Sequence, residues 1–318
     1  MRALFYAVAL TAVTALFAAC GPRYVQSTPM DPAHLLRPLA SLTRHVVLVS
    51  IDGLRPDAIE RFDAPTLQRL VREGSYSLSA QTILPSTTLP SHTSMLSGQP
   101  PEEHGILWNN VVSAKSGVGP PSTVFGVARS HGYRTAAFFS KAKFDVLQQP
   151  GTLDFSQAPG GWFGRWSSRR TVGDVRSYLA SEQPNLLFVH LSDPDRAGHS
   201  KGWMSEAYGQ AVAATDAALR DLLDAADAAY GPGNFSVVVT ADHGGHGYGH
   251  GSSDPQDVTI PWIAWGRGIK AGALDNVVID TVDTAPTVLW MLGVQEPQEW
   301  LGSPVVEAFQ TPMLAATD

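Results

Sequence analysis

The chain has 318 residues, a formal net charge of −7, 44% hydrophobic residues and only 16% charged ones, against roughly 25% charged in an average soluble domain. That composition is enough for one large core. The acidic balance and the lack of any run of Lys and Arg exclude a surface built for a nucleic-acid backbone, so an anionic substrate must be held by something other than a basic patch.

Residues 1–20, MRALFYAVALTAVTALFAAC, combine one early Arg with an uncharged apolar run and read as a secretory signal ending at a bacterial lipoprotein processing site. Cys20 is the only cysteine; no disulfide can form within the chain, and a lone thiol in an oxidising compartment is accounted for if its sulfur carries lipid. The expectation is a lipid-anchored protein of a bacterial cell envelope, facing the periplasm. Residues 21–44 hold four prolines and no sustained period and read as a tether. The folded domain is expected over residues 45–318.

Within that domain VVLVSI (46–51), TAAFFS (135–140), LLFVHL (186–191), FSVVVT (235–240) and IPWIAW (260–265) are short apolar runs, the pattern of strands covered on both faces. Helical periods lie between them. APTLQRLVREG starts with a proline and stops at Gly74; EAYGQAVAATDAALRDLLDAADAAYG stops at Gly231; TAPTVLWML forms a late helix. Strands alternating with helices predict an α/β fold with a mostly parallel sheet and helices on both faces. The segment from Val111 to Arg170 is the least regular and reads as a lid or a surface loop.

Three of the strands run straight into acids: Ile51 into Asp52, Leu191 through Ser192 to Asp193 and Asp195, and Thr240 through Ala241 to Asp242. Ligands in open α/β sheets bind at the carboxyl edge of the strands, so these acids should converge there. Asp195 and His199 stand four apart, close enough to share one ion from a single loop turn. Asp242-His243 is followed by Gly244-Gly245, which would permit the bent backbone that adjacent ligands need. Crowded carboxylates are costly without cations between them, and an oxygen and nitrogen donor set suits Zn, with Mn and Fe also compatible. In LPSTTLPSHTSMLSG (84–98) a helix from about Pro90 would put the Thr87 and Thr88 hydroxyls at a helix N-terminus, where anions are favoured.

Together SIDGLRPDAI, LPSTTLPSHTSMLSGQPPEEHGI with the following WNN, DPDRAGH, TADHGG, and GHG ahead of IPWIAWGRGIKAG make the chain resemble the type I phosphodiesterase/nucleotide pyrophosphatase family of the alkaline phosphatase superfamily. The resemblance implies an alkaline-phosphatase-like three-layer sandwich for the catalytic domain. It implies one divalent ion on Asp195, His199 and His250 and a second on Asp52, Asp242 and His243, with zinc the expected metal. Thr88 would be bound to the second ion as nucleophile, and Asn109 would hold a non-bridging phosphate oxygen. His250 is preferred to His246 as a ligand for its distance from the IPWIAWG strand. Metal contact would activate the Thr88 hydroxyl, a phosphothreonine would form, and its hydrolysis would return phosphorus to its starting configuration. The implied substrate is a small-molecule phosphodiester or nucleotide.

The chain departs from its relatives at recognisable places. Sulfatases of the superfamily carry Cys or Ser followed by x-Pro-Ser-Arg, whereas here Thr88-Leu89-Pro90-Ser91-His92 stands, and threonine cannot become formylglycine. Arg55 is expected to pair with Asp57 rather than with a monoester phosphate, which favours diesters. A phosphomonoesterase or sulfatase-like hydrolase is the alternative. A non-enzymatic metal-binding lipoprotein would have lost a ligand or the nucleophile, and none of the seven positions is lost. The aromatic residues that the resemblance expects after the nucleophile and before DxxxH are replaced by Leu89 and His190, which leaves Trp108, Trp162, Phe163 and Trp166 to stack on a base.

Overall fold

The computed structural model describes residues 23–26, 41–112, 119–161 and 164–310. Residues 1–22, with Cys20, lie outside the described residues, as do Trp162 and Phe163. The chain runs β1 (Arg23–Gln26), β2 (Val46–Ile51), α1 (Pro56–Arg61), α2 (Pro65–Glu73), β3 (Ser75–Gln81), α3 (Thr88–Ser97), α4 (Pro101–His104) and α5 (Val124–Ser130). It continues through β4 (Thr135–Phe138), β5 (Phe155–Ala158), α6 (Ser168–Leu179), β6 (Leu186–Leu191), α7 (Asp193–Lys201) and α8 (Glu206–Tyr230). The last elements are β7 (Ser236–Thr240), α9 (Pro255–Val258), β8 (Thr259–Gly266), β9 (Gly272–Ala273) and α10 (Thr284–Leu292).

These strands form one sheet in the order β1-β5-β4-β6-β2-β7-β8-β3-β9. From β5 to β7 every neighbour is parallel; β8 runs against both β7 and β3, and β1 against β5. The uncharged runs take the centre because only there are both faces covered: every side chain of β2, β6 and β7 is buried. One group of helices, α1, α2, α6 and α7, gathers around the long α8, and another is built from α3, α5 and α10. The α/β three-layer expectation is thus met.

Several local expectations change. Inside the expected tether, Arg23–Gln26 pairs as an edge strand with β5, and the Leu42 and Thr43 amides donate to the Met291 carbonyl at 3.0 and 3.3 Å. Helix α3 starts at Thr88, two residues before Pro90; proline is tolerated in a first turn because its missing N–H would have had no partner there. The supposedly irregular stretch from Val111 to Arg170 contains α5, β4 and β5, four-residue strands too short to impose a visible period. Strand β3, SYSLSAQ, was hidden by its serines; its pairing with β8 decides its conformation.

His104 closes α4. Its Nδ1 accepts from the Ile106 amide at 3.0 Å, and Nε2 faces Ser94 Oγ at 3.0 Å. Burial pushes its pKa down to about 4, so the unfolded chain binds the proton more readily, and stability rises with pH between about 4 and the ordinary value near 6.5. His104→Gln should flatten that part of the profile. The check is the melting temperature of both proteins measured from pH 4 to 7, where parallel profiles would show that His104 contributes nothing to the slope.

Candidate metal centre and nucleophile

Because β2 lies between β6 and β7 in parallel register, with Ser50 beside His190 and Thr240, the residues that leave all three strands emerge at one edge. The backbone then ties them together. The Asp52 amide donates to Leu191 O at 2.9 Å, and the Asp195 amide donates to Asp52 O at 3.0 Å. Gly53 turns between them at φ +72°, and a Cβ there would stand 2.9 Å from Asp195 Cα; only glycine meets both demands. Its amide donates to Asp242 Oδ1 at 3.1 Å, which draws in the third acid.

Asp195 and His199 occupy one turn of α7, not a loop as the spacing suggested, since i and i+4 share a helix face. Gly244 and Gly245 also act differently from expectation. Neither takes a positive φ; a Cβ on Gly244 would meet Gln256 O at 2.1 Å, and one on Gly245 would meet the Trp203 indole at 2.2 Å. Close packing, rather than a bent backbone, requires them.

Three imidazoles are held in the same way. His199 Nδ1 meets Tyr248 O at 3.0 Å, His243 Nδ1 meets Gly244 O at 2.8 Å, and His250 Nδ1 meets Ser86 O at 2.8 Å. A carbonyl only accepts, so each Nδ1 carries the hydrogen and each Nε2 turns inward. His199 Nε2 lies 3.2 Å from Asp195 Oδ1 and 3.1 Å from His250 Nε2, which is 3.7 Å from the same oxygen. Around His243 Nε2 stand Asp242 Oδ2 at 3.2 Å, Thr88 Oγ1 at 3.4 Å and Asp52 Oδ1 at 3.5 Å.

Donors about 2.0–2.2 Å from one tetrahedral ion lie roughly 3.3–3.6 Å apart, and both groups approximate that spacing. The facing oxygens Asp52 Oδ1, Asp195 Oδ1 and Asp242 Oδ2 are buried without a hydrogen-bond partner, an arrangement that is repulsive unless cations lie between them. Donor atoms of Asp52, Asp195 and His243 also fall within 4.8 Å of one another, so the two groups are contiguous. The residues fit a pair of divalent ions.

The outer oxygens are satisfied by residues to which the sequence assigned no such role. Lys141 Nζ sits 2.6 Å from Asp52 Oδ2 and 2.6 Å from Asp195 Oδ2, with the lysine 3% exposed. Burial opposes its charge, but Asp195 and Asp52 outweigh burial and raise its pKa. Burial would likewise raise the acids; the Lys141 ammonium and the His190 bond hold Asp52 well below the usual range. His190 reaches Asp52 Oδ2 through Nε2 at 2.9 Å and Ser140 Oγ through Nδ1 at 2.7 Å; it lies beneath the site, out of reach of a base. His92 bonds Thr88 O at 2.8 Å and Ser50 Oγ at 2.8 Å and lies 3.3 Å from Asp242 Oδ2. No motif in the sequence announces Lys141.

Thr88 opens α3 and is 1% exposed. Asn109, on the exposed loop beyond α4, accepts through Oδ1 from the Leu89 amide at 3.0 Å and from Lys143 Nζ at 2.9 Å, which leaves its Nδ2 hydrogens for a ligand. His246 pairs instead with Asp257 at 2.7 Å. Arg55 forks onto Asp57 at 2.9 and 2.6 Å, as expected. Trp166 lies under the Arg170 guanidinium, 4.6 Å from its ring centre, and Trp108 is half-buried.

The family model for type I phosphodiesterase / nucleotide pyrophosphatase matches residues 46–250, well over half of the chain. Human GPI ethanolamine phosphate transferase 1 is 25% identical over 312 residues, covering 83% of this chain and 33% of that protein. Mouse ectonucleotide pyrophosphatase/phosphodiesterase family member 7 is 25% identical over 259 residues, covering 75% of this chain and 55% of its own length. Both relatives extend well beyond the matched region. Among solved structures, an inactive murine ectonucleotide pyrophosphatase / phosphodiesterase 5 in complex with AMP superposes with a TM-score of 0.69 at 14% identity, over 84% of this chain and all of that one, which is a likeness of fold.

Lys141→Met would leave two buried carboxylates without their shared cation. The metal-free protein should lose about 3 kcal/mol or more, read as a lower urea midpoint, and added zinc should recover part of the loss. A metal-free variant as stable as the parent would remove Lys141 from this role.

Proposed function

The chain belongs to the type I phosphodiesterase/nucleotide pyrophosphatase family, and we propose that it hydrolyses phosphodiester or phosphoanhydride bonds of a small-molecule or nucleotide substrate, with Thr88 as nucleophile. The observation that carries this reading is the approach of Thr88 Oγ1 to within 3.4 Å of His243 Nε2, beside buried carboxylate oxygens that have no partner. Asp195, His199 and His250 would hold one divalent ion and Asp52, Asp242 and His243 the other, zinc suiting the donors best, and bound cations would supply Lewis-acid stabilisation of the attacking and departing oxygens.

The rest follows from the chain's own groups. Thr88 Oγ1 loses its proton and bonds phosphorus as the bond to the leaving oxygen breaks, and that oxygen departs with a proton. Asn109 Nδ2 donates to a non-bridging oxygen, while the first turn of α3 directs its positive end at the phosphoryl group. Water then attacks the phosphothreonine, the phosphoryl product leaves, and the hydroxyl is restored. Two in-line displacements leave phosphorus with its original configuration. His92 fixes the backbone of the nucleophile through Thr88 O.

Thr88→Ala should lower turnover of bis-p-nitrophenyl phosphate by about 10³-fold or more while elemental analysis still finds zinc; Thr88→Ser should keep part of the rate. Undiminished turnover in Thr88→Ala would end the assignment. The sequence of residues 1–20 also supports attachment to a bacterial envelope membrane through lipid on Cys20. Cys20→Ser should then move the protein from the detergent to the aqueous phase of a Triton X-114 partition, and a parent protein found wholly in the aqueous phase would refute the anchor.

A further inference from the structure

The edge strand β1 limits where an anchored terminus can lie. It runs antiparallel to β5, and Arg23 pairs with Ala158, the last residue of that strand. β5 is parallel to β4 and β4 to β6, so Ala158 stands at the same carboxyl edge as the acids that follow β6. Cys20 precedes Arg23 by three residues, and three residues span at most about 11 Å. Lipid on Cys20 would thus leave the domain at the corner where β1 meets the edge that carries the metal centre.

The surface along that edge is basic and aromatic. Arg165-Trp166-Ser167-Ser168-Arg169-Arg170 crosses the ends of β4 and β6: the Trp166 amide donates to Ser140 O at 2.9 Å, Ser192 Oγ donates to Trp166 O at 3.4 Å, and the Ser168 amide donates to Asp193 Oδ2 at 2.9 Å. Arg165, Arg169 and Arg170 are exposed. Arg170 lies over the Trp166 ring and 3.8 Å from Asp174, whereas Arg165 and Arg169 make no ion pair among the described residues. The loops of the same edge expose apolar side chains: Leu84, Leu107 and Tyr248 are 56%, 65% and 68% exposed and stand two residues before Ser86, Asn109 and His250. Unpaired guanidinium groups are drawn to the phosphates of an anionic leaflet, and an indole beside them suits the layer between headgroups and acyl chains. No helix among the described residues is long and apolar enough to cross a membrane, so such a contact is peripheral.

We propose that Arg165, Trp166, Arg169 and Arg170 form a docking surface for an anionic phospholipid bilayer, beside the strand end that leads from Cys20, so that the metal centre works at the membrane surface and not on the side of the protein turned away from it. The inference rests on the proposed lipid on Cys20. It gives the four residues a part in orienting the domain and none in bond breaking.

The test places a nitroxide on Arg169→Cys or, at the amino edge before β7, on Asn234→Cys of the lipidated full chain; with lipid on Cys20 the introduced thiol is the only free one. Each cation at an anionic surface is worth roughly fivefold in partition. On vesicles of phosphatidylcholine with phosphatidylglycerol, the two arginines that remain should lower the collision rate of the 169 label with an aqueous nickel chelate by about fivefold or more, while the rate at 234, more than a screening length away, changes by less than about twofold. Free access at 169 should return on vesicles of phosphatidylcholine alone, and also with Arg165→Gln and Arg170→Gln combined, whose folding a melting curve verifies. Shielding at 234 instead of 169, equal shielding at both, or shielding at 169 that survives neutral vesicles would overturn the proposal. A chain that sediments with the vesicles yet keeps free access at 169 refutes the docking alone, whereas one that does not sediment refutes the anchor with it; neither result bears on the hydrolase reading, which Thr88→Ala decides.

Discussion

Everything at the carboxyl edge of this sheet depends on keeping three buried carboxylates close together. Asp52, Asp195 and Asp242 are each almost wholly inaccessible, and unshielded charges at that separation would repel by more than a fold can tolerate. The structure divides the task by oxygen atom. Lys141 takes Oδ2 of both Asp52 and Asp195, backbone amides of Gly53 and His243 take Oδ1 of Asp242, and the remaining oxygen of each acid faces the inward Nε2 atoms. The acids are therefore positioned by bonds that do not use the donor atoms themselves, and the donor set is preorganised.

The same constraint explains why the surroundings are so restricted in residue type. The Asp195 amide bonds Asp52 O, and Gly53 lies against Asp195 Cα; a larger residue there would separate two acids that must share one lysine. Trp203 Nε1 and the Tyr208 hydroxyl both donate to Gly53 O, at 3.0 and 2.9 Å. The turn after α7 and the first turn of α8 are thereby anchored to the loop that carries Asp52. These bonds fix the placement of the donor atoms, which the chemistry proposed for this edge needs to a few tenths of an ångström.

What could be read in the sequence followed from whether a residue's role is local. Central strands announce themselves by lacking charge, and Asp52, Asp195 and Asp242 by standing directly after them. Lys141, His92 and His190 act through where their side chains end, up to 150 residues away from their partners, the separation of His92 and Asp242, and the chain alone does not show those contacts. Strand β3 was obscured for a related reason, since its pairing with β8 overrides a serine-rich composition. Proximity in space is hidden in the same way: a 3₁₀ turn spanning Ala142–Leu147 and the segment at Arg165 bring Lys141, Lys143 and Arg165 to one cleft, although the chain holds no run of Lys and Arg.

That cleft changes the electrostatic character assigned to the site. Three carboxylates and one ammonium leave the centre with two negative charges, and two divalent ions would turn it positive by the same amount. Lys143 and Arg165 line a cleft beside this centre, with no carboxylate among its described lining residues, so the local potential is more positive than the net charge of the chain suggests. The acidic net charge of the chain as a whole therefore says little about what its active edge attracts; local placement of a few cations outweighs the overall balance.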